Sequence, residues 1–199
     1  MTTTFFISDT HFGHEKTCTV FKRADGSPLR PFTNAEEMDE FMVKAWNERV
    51  SPKDKVYHLG DVVINRKFLH ILGRLNGDKV LIRGNHDIFK LEDYTQYFRD
   101  IRAFDVKNGM IFSHVPIHPE SLGRFGTNIH GHLHANRVKK IVGVDAKTGE
   151  LEYGDIDNRY HCVCVEQTDF APISLEEVNK RIVDEGGHVG FRNGNYTIM

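Results

Sequence analysis

Five short segments of the sequence carry side chains that could bind metal ions. They are Asp9-Thr10-His11, Gly60-Asp61, Gly84-Asn85-His86-Asp87, Ser113-His114 and Gly131-His132-Leu133-His134. Two carboxylates, one amide and four imidazoles from these segments form a nitrogen and oxygen ligand set without a thiolate. Such a set suits Mn²⁺, Fe²⁺, Zn²⁺, Co²⁺ or Ni²⁺ better than calcium. Seven ligands are too many for one tetrahedral ion, so the set predicts two divalent ions that share a bridging carboxylate.

The number of histidines supports this interpretation. The chain has 12 histidines among 199 residues, and five of them lie between His114 and His134. Solvation of a protein surface does not require such clustering, whereas metal ligation does. His132 and His134 also project to the same side of an extended segment, because side chains alternate along a strand.

Each of the five segments follows a stretch that is predicted to form a β-strand. The predicted strands cover residues 3–8, 55–59, 79–82, 110–113 and 128–131. Ligand sites in open α/β sheets lie beyond the carboxyl ends of the strands. Gly60, Gly84 and Gly131 allow tight turns where the ligands must converge. The pattern therefore predicts one metal site at one edge of a sheet.

The order of the predicted elements indicates an α/β fold. In the first half strands alternate with helices, which favours parallel pairing, and a capping box of Thr33 and Glu36 predicts a helix that runs to about Val50. The apolar stripe of this helix consists of Met38, Phe41, Met42, Ala45 and Trp46. The second half is richer in strands, with hairpins around residues 107–109 and 147–149, a strand over 160–166 and a capping box at Ser174. A mixed sheet or two packed sheets follow from this order.

Length and composition restrict the class of protein further. A chain of 199 residues is the size of one ordinary domain. The formal net charge is -2, so we expect no extended nucleic-acid surface. No stretch approaches the ~20 apolar residues of a membrane span. The chain has three cysteines, and such an odd and sparse set favours a reducing compartment. We therefore expect the protein to be located in the cytoplasm. The oligomeric state stays open.

In this order, the five segments resemble the signature of the calcineurin-like metallophosphoesterase superfamily. That signature runs D-x-H, G-D, G-N-H-[DE], a histidine and G-H-x-H, and here it spans Asp9 to His134. The resemblance implies a four-layer α/β/β/α sandwich with two mixed β-sheets and a dimetal site at the carboxyl ends of the strands. We expect residues 1–185 to form a single metallophosphoesterase domain and residues 186–199 to form a glycine-rich C-terminal tail.

The resemblance also implies a role for each residue of the signature. The first metal ion would be held by Asp9, His11 and His134, and the second by Asn85, His114 and His132. Asp61 would bridge both ions, with Mn²⁺ favoured among the metals named above. His86 would act as a catalytic residue that faces the phosphoryl group or the leaving oxygen, and Asp87 would fix the loop or a histidine tautomer.

The reaction implied by the resemblance is hydrolysis of a phosphate ester. Two ions would share a water molecule, and the resulting hydroxide would attack phosphorus in line with the leaving oxygen. Ile64 stands where protein phosphatases of the superfamily carry a second aspartate, so a protein phosphatase is not expected. We predict a phosphodiesterase that acts on a nucleotide or cyclic nucleotide. Alternatives are a phosphomonoesterase acting on a small phosphate, a nuclease and a non-catalytic binding scaffold.

Two residues beside the signature are candidates for substrate contacts. His14 follows the first segment and either lines the substrate side of the site or sits in the loop. Arg124 lies in the loop that enters the last segment. It could clamp a phosphate as a planar fork, or it could be a solvated arginine.

Overall fold

The computed structural model describes residues 2–191 of the chain. Its strands are β1 (Thr4–Ile7), β2 (Lys55–His58), β3 (Asp78–Ile82), β4 (Asp100–Arg102), β5 (Phe104–Lys107), β6 (Met110–Ser113), β7 (Thr127–His130), β8 (Lys139–Val144), β9 (Leu151–Ile156), β10 (Tyr160–Cys162) and β11 (Ile173–Ser174). Its α-helices are α1 (Lys16–Thr19), α2 (Ala35–Arg49), α3 (Leu91–Thr95), α4 (Pro119–Leu122) and α5 (Leu175–Asp184). Two 3₁₀ helices span Arg66–Arg74 and Val165–Gln167. Within residues 2–191, no helix has the length and apolar character needed to cross a membrane.

Two mixed β-sheets form the centre of the fold. The first has the strand order β11-β1-β2-β3-β4, in which β1 to β4 are parallel and β11 is antiparallel to β1. The second has the order β10-β7-β6-β5, in which only β5 runs antiparallel to its neighbour. The candidate ligands follow β1, β2, β3, β6 and β7, so the parallel strands bring them to one end of each sheet.

The two sheets pack face to face through apolar side chains that are buried between them. They include Phe6, Tyr57, Val80, Phe112 and Ile129. The rings of Phe6 and Phe112 meet edge to face, with their centroids 4.9 Å apart. Burying a side chain of this size stabilises the fold by roughly 1.5–3 kcal/mol. Packing of this kind fixes the distance between the sheets and therefore between the loops at their ends.

Helix α2 and the longer 3₁₀ helix cover the other face of the first sheet. Met38, Met42 and Trp46 of α2 are buried against this sheet in one cluster with Ile7 and Leu81. On the outer face of the second sheet, α4 and the loops beside it form a thinner layer. The resulting order is helix, sheet, sheet, helix, which confirms the α/β/β/α sandwich. β8 and β9 form a separate two-stranded hairpin, as predicted around residues 147–149.

Several predicted elements differ in detail from the structure. The N-cap of α2 is Asn34, not Thr33, because its side chain accepts the N–H of Glu37 at 2.9 Å while Glu37 accepts the N–H of Thr33. Phe41 was expected in the apolar stripe but is 47% exposed. The hairpin predicted around residues 107–109 joins β5 and β6, but the chain just before it is divided between β4 and β5, which belong to different sheets. The strand expected over 160–166 ends at Cys162, and a 3₁₀ helix begins at Val165.

The C-terminal end of the described chain runs along the second sheet. The capping box at Ser174 begins α5 as predicted, and α5 ends at Asp184. Beyond it, the carbonyl of His188 accepts the Thr127 hydroxyl at 2.9 Å, and Phe191 pairs with Phe125. Residues 192–199 of the predicted tail lie outside the described residues. The division of the chain at residue 185 stays a prediction.

Candidate metal centre

The five predicted segments meet at the carboxyl ends of the parallel strands. Five candidate ligands have positive φ angles, in the left-handed region that non-glycine residues seldom occupy. They are Asp9 (57°), His11 (46°), Asp61 (59°), His132 (69°) and His134 (52°). Such backbone conformations cost roughly 1–3 kcal/mol each and tend to cluster at functional sites. The chain therefore accepts backbone strain at the positions that point side chains into one cluster.

Asp9 has one satisfied and one unsatisfied carboxylate oxygen. Its Oδ2 accepts hydrogen bonds from the Ser8 hydroxyl (2.5 Å), the His132 N–H (2.8 Å) and the Cys164 thiol (3.1 Å). Its Oδ1 is buried and has no hydrogen-bond partner within the described part of the chain. This Oδ1 lies 3.6 Å from Nε2 of His11 and 3.8 Å from Nε2 of His134. A buried carboxylate oxygen without a donor, facing two imidazoles, fits a cation between the three residues.

Asp61 lies between the two groups of predicted ligands. Its Oδ2 is 3.7 Å from Nε2 of His11 and 3.4 Å from Nε2 of His114. Its Oδ1 accepts the backbone N–H of His86 at 2.8 Å. One oxygen of Asp61 thus faces a histidine from each group, which is the geometry that a bridging carboxylate needs.

Asn85 brings the second group together. Its Oδ1 lies 2.9 Å from Nε2 of His114 and 3.0 Å from Nδ1 of His132. Nδ1 of His114 donates to the carbonyl of Leu59 at 2.7 Å, so in the neutral ring Nε2 carries a lone pair. An amide oxygen and an imidazole lone pair at this distance need a proton or a cation between them. The donor set around Asn85 therefore fits a divalent ion.

The titration behaviour of the cluster agrees with a site built for positive charge. Burial would lower the pKa of His114, but the carboxylates of Asp61 and Asp9 outweigh it and raise that pKa to about 9. Burial would raise the pKa of Asp9, but His11, His114 and His134 outweigh it and hold that pKa well below its usual range. The carboxylates are therefore ionised and stabilise cations beside them.

Two glycines of the signature make room for the carboxylates. A Cβ added to Gly84 would lie 2.2 Å from Oδ1 of Asp61. A Cβ added to Gly131 would lie 2.0 Å from Oγ of Ser8 and 2.5 Å from Oδ2 of Asp9. Any side chain at either position would displace a candidate ligand.

Asp87 connects the loops after β2 and β3. Its carboxylate accepts backbone N–H groups of Asp61 (2.8 Å), Val62 (3.0 Å) and Gly84 (2.8 Å). Burial raises the pKa of Asp87, although these three donors act against the shift. Asp87 is itself buried, and both of its carboxylate oxygens accept these backbone donors. The side chain fixes the loops that carry Asp61 and Asn85.

His86 and His14 stand beside the cluster. The ring of His86 is exposed, and its centroid lies 5.6 Å from that of His11. The ring of His14 is partly buried, 5.7 Å from that of His11. Burial, together with the neighbouring His11 and Arg30, lowers the pKa of His14 to about 4, so this ring is neutral near pH 7. Both rings therefore lie next to His11, one of the predicted ligands, and their contacts to a substrate stay a prediction.

Arg124 has a different environment. It is exposed, and its guanidinium lies over the ring of Phe125, 5.6 Å from the centroid. None of the hydrogen bonds or ion pairs within residues 2–191 connects it to the ligand cluster. Its role as a substrate contact stays a prediction.

Sequence reasoning missed the side chains that support the ligands from behind. Ser8 and Cys164 hold Oδ2 of Asp9, and Glu166 accepts a hydrogen bond from His134 at 3.0 Å. Arg30 pairs with Glu166 at 2.8 Å. Of these four residues, only Ser8 is adjacent to one of the five segments. The other three are distant in sequence and carry no local pattern that could have indicated their part in the site.

Comparison with known proteins defines the class to which this fold and site belong. A model of the calcineurin-like phosphoesterase family matches residues 2–157. The chain therefore belongs to the calcineurin-like phosphoesterases, as the five segments had indicated. Membership of this family supports the assignment of the protein as a metal-dependent phosphoesterase that binds divalent metal ions.

Two proteins and one solved structure are similar to this chain, over most of its length or over part of it. The uncharacterised protein MJ1445 of Methanocaldococcus jannaschii is 35% identical over 182 residues, which cover 89% of this chain and 90% of that protein. The Gene 66 protein of Mycobacterium phage L5 is 36% identical over 92 residues, 44% of this chain and 41% of that protein. The crystal structure of AQ665, a protein of unknown function from Aquifex aeolicus, has a TM-score of 0.63 at 28% identity and covers 91% of this chain and 100% of that one.

Proposed function

We propose that the protein is a dimetal-dependent phosphodiesterase that acts on a nucleotide or cyclic nucleotide. The observation that carries the proposal is the position of Asp61. One oxygen of this residue faces His11 of the first predicted group and His114 of the second, at 3.7 and 3.4 Å. Two ligand groups joined by a carboxylate form the kind of site that holds two ions close together.

The seven predicted ligands fit two divalent ions through their oxygen and nitrogen atoms. The first ion would be held by Asp9, His11 and His134, the second by Asn85, His114 and His132, and both by Asp61. When bound, two such ions lower the pKa of water and neutralise the charge that develops on a transferring phosphoryl group. A mixed carboxylate, amide and imidazole set without thiolate suits Mn²⁺, Fe²⁺, Zn²⁺, Co²⁺ or Ni²⁺. Among these we propose Mn²⁺, on the resemblance to the family.

The protein side chains supply orientation and a proton. Asp61 fixes the backbone of His86, which places an exposed imidazole next to the ligand cluster. We assign His86 the transfer of a proton to the leaving oxygen, because an imidazole can act as an acid near neutral pH. His14, neutral and close to His11, is assigned a contact to the substrate.

Two adjoining clefts, one of them lined by predicted ligands, support a diester rather than a monoester. A cleft of about 520 Å³ is lined by Asn85 and His114, and one of about 1060 Å³ is lined by Leu133, which lies between two predicted ligands. Both clefts include Ile117. A phosphodiester carries two organic substituents on one phosphorus, and each cleft offers a place for one of them.

The larger cleft also has features that suit a nucleotide. Lys139 and Lys140 line it together with the ring of Tyr153. A base can stack on an aromatic ring, and ammonium groups attract further phosphates. We assign this cleft to the nucleoside side of the substrate.

A cytoplasmic location is part of the proposal. All three cysteines are free and buried, and the Cys164 thiol donates to Asp9 at 3.1 Å. That hydrogen bond requires a reduced cysteine, so a reducing compartment preserves the site.

The test is a comparison of substrates on metal-free protein supplied with Mn²⁺. Substrate specificity is the ratio of two kcat/KM values. Because the two clefts can hold both substituents of a diester, we expect the kcat/KM for bis-p-nitrophenyl phosphate to exceed that for p-nitrophenyl phosphate by at least roughly tenfold. A chelator should abolish both activities. Assays with cyclic nucleotides and dinucleotides as substrates then identify the class of the natural substrate. Preference for the monoester would contradict the diester assignment. No turnover with any of the candidate metals would contradict the proposal that the protein is an enzyme.

A further inference from the structure

Behind the candidate metal centre, Arg30 and Glu166 form an ion pair that is withdrawn from solvent. Nε of Arg30 donates to Oε1 of Glu166 at 2.8 Å, and both side chains are 0% exposed. Burying two charges is costly, and replacing such a pair by apolar groups is often neutral or stabilising. Stability is therefore a weak explanation for this pair, and its surroundings indicate another.

Glu166 has a second partner in a predicted metal ligand. Nδ1 of His134 lies 3.0 Å from the same Oε1. A neutral imidazole that donates from Nδ1 carries its lone pair on Nε2. Nε2 is the atom of His134 that lies 3.8 Å from the unpartnered Oδ1 of Asp9. The carboxylate thus selects the tautomer and the ring orientation that a metal ion at this position requires.

Arg30 contacts the segment that carries the other two ligands of the same ion. Its Nη2 donates to the carbonyl of Asp9 at 2.5 Å, and its Nη1 donates to the carbonyl of Thr10 at 2.7 Å. Thr10 lies between Asp9 and His11. One buried guanidinium therefore connects the loop that carries Asp9 and His11 with the carboxylate that orients His134.

The second group of ligands is supported differently. Nδ1 of His114 donates to the backbone carbonyl of Leu59 rather than to a carboxylate. Among the hydrogen bonds within residues 2–191, none joins Arg30 or Glu166 to Asn85, His114 or His132. The charged pair therefore acts on only one of the two predicted ions.

We propose that Glu166, held in place by Arg30, is a positioning residue for His134 and selectively sets the affinity of the first metal ion. The inference rests on the dimetal centre proposed above. Carboxylates that accept the second N–H of a metal-binding histidine orient the ring and make it a stronger ligand, and their loss costs about 10–100-fold in metal affinity. The first ion, but not the second, should depend on Glu166 to this extent.

The test is a metal titration of the Glu166→Gln variant, which keeps the shape of the side chain and removes its charge. Metal-free protein is titrated with Zn²⁺ in competition with a chromophoric chelator, so that two dissociation constants are obtained without an activity assay. We expect one site to weaken about 10–100-fold and the other to change by less than about threefold. The matched control is Asp157→Asn, which removes a buried carboxylate paired with Arg159 at 2.9 Å but outside the ligand cluster. It should leave both constants unchanged.

A second variant and a spectroscopic measurement separate positioning from folding. Should Glu166→Gln unfold because Arg30 is left unpaired, the double variant Arg30→Met/Glu166→Gln removes both charges and is expected to fold with the same selective loss. In the Zn²⁺-loaded wild type, NMR should show a slowly exchanging Nδ1–H on His134, and this proton should exchange faster in either variant. A folded variant with both wild-type constants overturns the inference alone. A wild type that binds fewer than two ions overturns the dimetal centre and the inference with it.

Discussion

The backbone N–H of His86 donates a hydrogen bond to Oδ1 of Asp61 over 2.8 Å. The predicted catalytic histidine is thereby fixed to the predicted bridging carboxylate, while Oδ2 of Asp61 faces His11 and His114. One oxygen of Asp61 thus holds the backbone of His86, and the other faces a predicted ligand from each group. The two residues nevertheless differ in what their removal should do, because only Asp61 directs a side-chain atom at the ligands.

Replacing Asp61 should weaken both metal ions together. In Asp61→Asn a neutral amide stands where an anion would bridge two cations, so we expect each dissociation constant to rise at least about tenfold. Elemental analysis after gel filtration measures the number of ions retained per chain, and circular dichroism checks that the variant is folded. Retention of two ions with unchanged activity would remove Asp61 from the centre.

Replacing His86 should slow turnover without releasing metal. Its ring is exposed and makes no hydrogen bond to a predicted ligand within residues 2–191, so His86→Ala should keep two ions while kcat falls by roughly 10²-fold or more, the usual contribution of a general acid. The matched control is His70→Ala, an exposed histidine that contacts the carbonyl of Lys67 on the 3₁₀ helix. Loss of an ion from the His86 variant would instead place this residue among the ligands.

A methyl group at Gly131 should damage the centre through Asp9. The added Cβ would lie 2.0 Å from Oγ of Ser8 and 2.5 Å from Oδ2 of Asp9, so Gly131→Ala must displace a candidate ligand. We expect a loss of roughly 1–3 kcal/mol in stability, as for other overpacked sites, together with weaker metal binding.

Gly73→Ala is the control for this substitution. The nearest atom to its added Cβ would be a ring carbon of Tyr97 at 3.4 Å, which is ordinary contact. Chemical denaturation and metal titration of both variants test the comparison. Equal behaviour of the two variants would show that the space at Gly131 has no role in holding Asp9.

His58 should make the metal-free fold sensitive to acid. The ring is fully buried, with Nε2 3.0 Å from Oγ1 of Thr10, and burial lowers its pKa from 6.5 to about 3. Between pH 6.5 and 3, His58 binds a proton in the unfolded chain but stays neutral in the folded chain. The stability that the folded state owes to the neutral ring is therefore complete above pH 6.5 and is lost as the pH falls towards 3. Each pH unit in this window corresponds to about 1.4 kcal/mol.

The measurement is urea denaturation of metal-free protein between pH 7.5 and 4.5. His58→Gln removes the titrating group and keeps a polar side chain beside Thr10, so its free energy of unfolding should fall less steeply with decreasing pH than that of the wild type. Parallel slopes for the two proteins would contradict the assignment. The difference between the slopes isolates His58 from the other buried histidines.

The sheets and the cluster were predictable because their signals are local. Short apolar runs define β1, β2 and β3, and each ends in Gly, Asp, Asn or His, so the parallel arrangement alone brings Asp9, Asp61 and Asn85 to one edge. The turn at Asn108 and Gly109, with φ of 52° and 75°, was likewise encoded in two adjacent residues. Such features need no knowledge of distant contacts.

Features that depend on tertiary contacts were not predictable. The split between β4 and β5 occurs within a stretch that mixes apolar and charged residues throughout, and only the packing of two sheets decides that Arg102 belongs to one and Phe104 to the other. Glu166 lies in what reads as a strand, and its partner Arg30 is 136 residues away. Its importance is visible only when His134 is placed beside it.

The central claim is that Asp61 joins two metal ions, and a crystal structure of Mn²⁺-loaded protein with anomalous diffraction tests it most directly. We expect two anomalous peaks about 3.5–4 Å apart, with the Asp61 carboxylate between them. Asp9, His11 and His134 should surround one peak, and Asn85, His114 and His132 the other. A single peak, or two peaks without Asp61 between them, would contradict the account.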